Sequence, residues 1–123
     1  MPGQDKITEF IRATFRSVWS LELLCHLRVH SDRSSSVSEM VAELRASDLI
    51  IRQSVDTLVA AGLLLVDERG HAQYHPISED LDTLAKGVCA LYARSPDAVR
   101  RTIVAGANPG ITAFADAFRL RRD

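Results

Sequence analysis

His26 and His30 stand four residues apart, with Cys25 immediately before the first, and a second pair, His71 and His75, follows later in the chain. On a helix the first spacing places both imidazoles on one side, close enough to share a metal ion. Neither pair is accompanied by the clustered thiolates or carboxylates that would close a four-ligand set, so no metal is expected. The two histidines read instead as solvent-facing or hydrogen-bonded groups at the end of an apolar helix. Cys25 and Cys89 lack C-x-x-C spacing and sit among apolar residues, which suits two lone, reduced core thiols. There is no glycine-rich phosphate loop, no G-x-S-x-G and no H-E-x-x-H. Ser34, Ser35 and Ser36 fall in a polar loop, where one of them caps a helix. The expectation is a chain that is not an enzyme and needs no cofactor.

The elements around these residues centre on Ser47 to Tyr74, SDLIIRQSVDTLVAAGLLLVDERGHAQY. Ile51, Val55 and Leu58 recur at i, i+4 and i+7 and mark the buried face of a helix over about 47–61. Ser47 suits its N-cap, and Asp48 places negative charge at its positive end. Gly62 is placed to close it in a left-handed conformation. Leu63 to Val66 then turn through Asp67-Glu68-Arg69-Gly70 and return as His71 to His75, which predicts a β-hairpin.

Before this stretch, Ile7, Phe10, Ile11, Thr14 and Phe15 form a helical stripe between Asp5 and Arg16. The spacing runs on through Val18, Leu21 and Cys25, so it fits one long helix or two broken near Ser17; two, with Ser17 as a cap, is the reading taken here. Val18 to His30 is apolar around much of its circumference and reads as a central scaffold helix buried on more than one side. Ser36 and Glu39 form the S-x-x-E of a capping box, and Val37, Met40, Val41 and Leu44 give the following short helix its apolar face. That helix and the next, joined by a tight turn at Ala46-Ser47, predict a helix-turn-helix. Beyond the hairpin, Pro76 blocks further pairing and Ser78 caps a helix carrying Leu81, Leu84, Ala85, Val88, Leu91 and Tyr92. Ser95-Pro96-Asp97 starts another. Ile111, Phe114 and Phe118 belong to a last one, after the turn at Asn108-Pro109-Gly110.

A helix ending in L-x-x-L-x-x-A-G-L and followed at once by a hairpin resembles the recognition helix and wing of winged helix-turn-helix transcriptional regulators of the MarR/PadR-like class. The matching residues are Val55, Leu58, Ala61, Gly62 and Leu63, and V-W-x-L-E-L-L at Val18 to Leu24 resembles the first helix of such proteins. The likeness covers about residues 18–77. It implies a mainly α fold with a β-hairpin wing at about 67–72 and extra N- and C-terminal helices at about 5–16 and 78–122, all within a single domain over 1–123. It also implies a DNA-binding regulator of transcription, bacterial in style. Flanking helices in this class commonly build a homodimer that reads two half-sites about one turn apart, and Ile111, Phe114 and Phe118 are the expected dimer contacts. The alternative for them is packing onto the core of one chain.

With Ile51, Val55 and Leu58 turned inward, the outward residues of the recognition helix are Asp48, Ile50, Arg52, Gln53, Asp56 and Thr57. Arg52 suits guanine and Gln53 adenine in the major groove of double-stranded DNA, while Ser47 and Thr57 suit phosphates. Arg69 and His71 on the wing suit a minor groove or the backbone. Charge pulls the other way. Between Ser36 and Ile77 the bases are Arg45, Arg52 and Arg69, against Glu39, Glu43, Asp48, Asp56, Asp67 and Glu68, a local net of −3. Phosphate neutralisation supplies most non-specific DNA affinity, and this stretch offers little of it. A second expectation therefore stands beside the first: a winged-helix module that binds a protein partner through Ile50 and an acidic face, without touching DNA.

At 123 residues and 46% hydrophobic, the chain is large and apolar enough for one domain with a true core. No apolar run approaches the ~18–20 residues that span a bilayer, and MPGQDKITEF lacks the apolar centre of a secretory signal. A cytoplasmic protein without membrane contact is expected. The overall charge of −1 adds no global attraction to nucleic acid.

Overall fold

The computed structural model describes residues 3–107 and is mainly helical, with one small antiparallel sheet. In chain order the elements are α1 (Gln4–Thr14), α2 (Val18–Val29), α3 (Val37–Leu44), α4 (Asp48–Ala60), β1 (Leu64–Val66), β2 (Ala72–Tyr74), α5 (Glu79–Arg94) and α6 (Pro96–Ala107). Ile111, Phe114 and Phe118 lie outside the described residues. No helix among those described is long and apolar enough to cross a membrane.

Side-chain caps fix most of the helix starts. The hydroxyls of Ser17, Ser36, Ser47 and Ser78 each accept from the backbone N–H three residues on, which satisfies a donor the helix itself leaves open. Ser17 thereby separates α1 from α2 and settles the long stripe as two helices. At Ser36 the box is complete, because Glu39 Oε1 accepts in return from the Ser36 N–H at 2.9 Å. These bonds, with Arg33 nearby, hold the Glu39 carboxyl below its ordinary range. α4 ends as its glycine demands: Gly62 has φ 79°, its N–H donates to Val59 O, and the Leu63 N–H donates back to Leu58 O.

α3 ends less comfortably. Arg45 takes the left-handed conformation with φ 56°, the one non-glycine among the described residues to do so. That geometry brings α4 in after only Arg45, Ala46 and Ser47, at a backbone cost on the order of 1 kcal/mol for a residue with a Cβ. Arg45→Gly should raise the unfolding free energy by about 0.5 kcal/mol, the strain relieved outweighing the entropy of the freer unfolded chain. Urea titration of the two proteins checks it, and a loss of stability would refute it.

Two layers share the core. In the first, α2 packs along α4, with Leu21, Leu24, Leu27, Ile51 and Leu58 completely buried between and around them, and α3 closes over α4 through Met40. The second brings together helices from both ends of the chain: α1 packs against α5 and α6, burying Ile7, Phe10, Ile11, Val88, Val99 and Ile103. Phe10 and Phe15 meet edge to face at 5.6 Å, which covers the α1–α2 joint. α2 touches both layers, in keeping with a scaffold helix, although Val29 at its last turn is exposed. Val29 lies nearly opposite Leu24 around the helix and has left the zone the two layers cover.

β1 and β2 pair in register Leu64 with Tyr74, Leu65 with Gln73 and Val66 with Ala72, a geometry compatible with a wing. A third segment joins them. Ser35 and Ala72 exchange backbone hydrogen bonds in both directions at 2.8 Å, tying the loop before α3 to β2.

Candidate nucleic-acid interface

The face of α4 turned away from α2 carries most of the residues singled out from sequence. Asp48, Arg52, Gln53 and Asp56 are exposed there, and Ser47 is exposed at the cap. Ser47 Oγ accepts from the Ile50 N–H at 3.1 Å, an arrangement that leaves its hydroxyl proton free to donate outward. Arg52 is already paired: its Nε donates to Asp48 Oδ1 at 2.5 Å, one turn back on the same helix. The carboxylate strengthens the hold of the guanidinium on its proton. Water screens an exposed i, i+4 pair of this kind, so an acceptor arriving from solvent can displace Asp48 at small cost.

Ile50 corrects an expectation. It is half-buried against the core and does not stand free, in a helix that packs along α2. The apolar side chain that does project from α4 is its neighbour Leu49, 64% exposed. Period-3.6 reasoning set Ile50 outward because it sits beside Ile51, yet its side chain reaches the core. Thr57 is half-buried as well.

Ile50, Gln53, Asp56 and Thr57 form one wall of an open hollow of about 550 Å³, with Arg16, Ser17 and Trp19 on the other. Arg16 thus adds a positive charge beside the α4 face from outside the acidic stretch between Ser36 and Ile77. Neither Arg16 nor Trp19 was picked out from sequence. The signal was the break at Ser17, which turns the chain there and sets Arg16 at the corner.

The hairpin supplies the rest. Asp67 organises its tip: Oδ1 accepts from the N–H groups of Arg69 and His71, each at 2.9 Å, while the Asp67 N–H donates to His71 O. Those bonds hold the Asp67 carboxyl below its ordinary range. Gly70 has φ 81° in open space, so the tip turns without a side chain in the way. Arg69 is exposed and lies 3.8 Å from Asp67 Oδ2, while His71 is half-buried. Leu65 and Val66 on β1 are 53% and 44% exposed, an apolar strip no sequence argument had singled out.

Elsewhere, His26 and His30 do share one side of α2, with ring centroids 4.7 Å apart. Burial first, and the second imidazole next, lower the His26 pKa. Among the described residues no group of three or more His, Cys, Asp or Glu side chains is placed to hold a metal. The two cysteines depart from expectation. They are not separate core thiols, because α2 and α5 bring Cys25 and Cys89 side by side.

In comparison with known proteins, no family model matches the chain, and no curated protein or solved structure shows significant similarity to it.

Proposed function

We propose that the chain is a winged helix-turn-helix regulator of transcription that lays α4 in the major groove of double-stranded DNA and rests the hairpin tip on the flanking backbone. The observation that carries this reading is the relation of α4 to its neighbours. α3 and α4 meet through a three-residue turn, α4 buries Ile51, Val55 and Leu58, and Arg52 and Gln53 face outward with Arg69 at a free tip beyond. Side chains of those types match base edges and phosphates. Such a regulator acts in the cytoplasm as a homodimer with half-sites about one helical turn apart.

Binding to random-sequence duplex DNA over a salt series tests the reading. Affinity should fall steeply as salt rises, since phosphate neutralisation releases counterions. The double variant Arg52→Ala, Arg69→Ala should bind at least about tenfold more weakly, with a salt slope shallower by about one to two. No binding at ~50 mM salt, to random DNA or to a selected site, overturns the proposal.

A second reading has its own support. Leu49 on α4 and Leu65 and Val66 on β1 are exposed, and the stretch holding them has a net charge of −3, a combination suited to a basic, apolar-bearing protein partner. Under that reading the arginine pair matters little, whereas Leu49→Asp abolishes capture of the partner.

A further inference from the structure

Cys25 on α2 and Cys89 on α5 are far apart in sequence, yet the packing of the two helices makes their thiols neighbours that act on one another. Both are free thiols and both are half-buried, so a small solute reaches them while bulk solvent is largely held off. Arg28 lies one turn along α2 from Cys25 on the same side, and its positive charge acts on both sulfurs and on Tyr74 and Asp82 as well. Its Nε is buried without a hydrogen-bond partner among the described residues. Two thiols beside an arginine whose buried Nε has no partner form an arrangement that core packing alone does not call for.

The neighbouring thiol and burial push the Cys25 pKa up. The Cys25 thiol and the Arg28 charge draw the Cys89 pKa down against the opposing effect of burial, so Cys89 is the better nucleophile of the two.

We propose that Cys25 and Cys89 are a peroxide-reactive dithiol that closes reversibly to a disulfide and staples α2 to α5. The Cys89 thiolate attacks one oxygen of hydrogen peroxide, the O–O bond breaks, and the departing hydroxide takes a proton to leave as water. The product is the Cys89 sulfenic acid. The Cys25 sulfur then attacks the Cys89 sulfur, the S–O bond breaks, and the hydroxyl leaves as a second water with the Cys25 proton. Two thiols are oxidised by two electrons in all, and one peroxide becomes two waters. A small dithiol returns the pair by exchange through a mixed disulfide.

The staple reaches the proposed binding surface without relying on it. Cys89 lies two turns along α5 from Asp82, which accepts a hydrogen bond from Tyr74 of β2 at 2.6 Å, so a shift of α5 is felt at the hairpin.

The full-length chain treated with one equivalent of hydrogen peroxide tests this directly. Both thiols should be lost together, with an intact mass lower by two hydrogens, a Cys25–Cys89 cross-link in the peptide map, and full recovery with dithiothreitol. In Cys25→Ser the reaction should stop at a sulfenic acid on Cys89 that dimedone traps; in Cys89→Ser, Cys25 should react at least tenfold more slowly. Retention of both thiols overturns the proposal, as does a cross-link only between chains, or oxygen added to the sulfurs with no cross-link.

Discussion

Leu58→Ala is expected to lower the unfolding free energy by about 3 kcal/mol. Leu58 has no exposed surface and belongs to the α2–α4 layer with Leu21, Leu24 and Ile51, so removing three carbons leaves a cavity that elements on several sides enclose. Its backbone is held too, because Leu58 O accepts from the Leu63 N–H in the closing turn of α4, and the helix cannot slide to fill the space. For a domain near 100 residues, a loss of that size moves the melting midpoint by roughly 15 °C. Leu49→Ala, on the exposed face of the same helix, supplies the contrast and should cost less than about 0.5 kcal/mol. Urea and thermal denaturation of both variants measure the difference. A Leu58→Ala cost below about 1 kcal/mol would mean that α4 does not pack on α2 as described.

Gly62→Ala should cost about 2 kcal/mol, and Gly70→Ala only about 1 kcal/mol. The backbones are nearly alike, with φ 79° at Gly62 and 81° at Gly70, so both substitutions meet the same left-handed penalty. Their surroundings differ. A Cβ at position 70 meets nothing within 4 Å, whereas at position 62 it would lie 2.9 Å from Ile77 Cδ1 and 3.0 Å from Cγ1. The backbone is held there, because Gly62 O accepts from the Ile77 N–H and Leu63 O from the His75 N–H, both at 2.9 Å. Relief comes from the exposed Ile77 side chain turning outward, which limits the excess over position 70 to about 1 kcal/mol. The excess of the first cost over the second isolates the steric contact. Adding Ile77→Ala to Gly62→Ala should remove most of that excess, since Ile77 is largely exposed and contributes little elsewhere. Equal costs at the two glycines in a double-mutant cycle would show that no close approach exists at Gly62.

Local features carried the reading from sequence furthest. Each serine cap acts on an N–H three residues away, and Ile51, Val55 and Leu58 are brought to one face by the helix that contains them, so their spacing already encodes the geometry. The same holds for Asp67 and Gly70, whose turn is built from its own backbone. The misreadings all involve partners distant in the chain. Ile50 and Leu49 are neighbours that differ in burial because one packs against a core assembled from elements distant in the chain and the other faces away from it. Cys25 and Cys89 carry no spacing that announces a meeting, which arises when α2 and α5 pack. The pairing of Ser35 with Ala72 is likewise invisible in a serine-rich loop, since it uses backbone groups that every residue possesses. Of the candidate site, the residue types on α4 and at the hairpin tip were legible; the hollow walled by Arg16 and Trp19 was not.

The hairpin behaves as a cantilever. Its second strand is clamped at every residue, by the Ser35–Ala72 pair, by Gln73 Nε2 donating to Ser31 O, and by Tyr74 bound to Asp82 on α5. Its far end, Glu68 to Gly70, is anchored only through Asp67. A load applied at that end is therefore borne by the loop ahead of α3 and by the first turns of α5, and the two strands transmit it without bending at the base. Whatever the tip meets, the compliance lies in Glu68 to Gly70, and the force is delivered to the start of α3 and to α5.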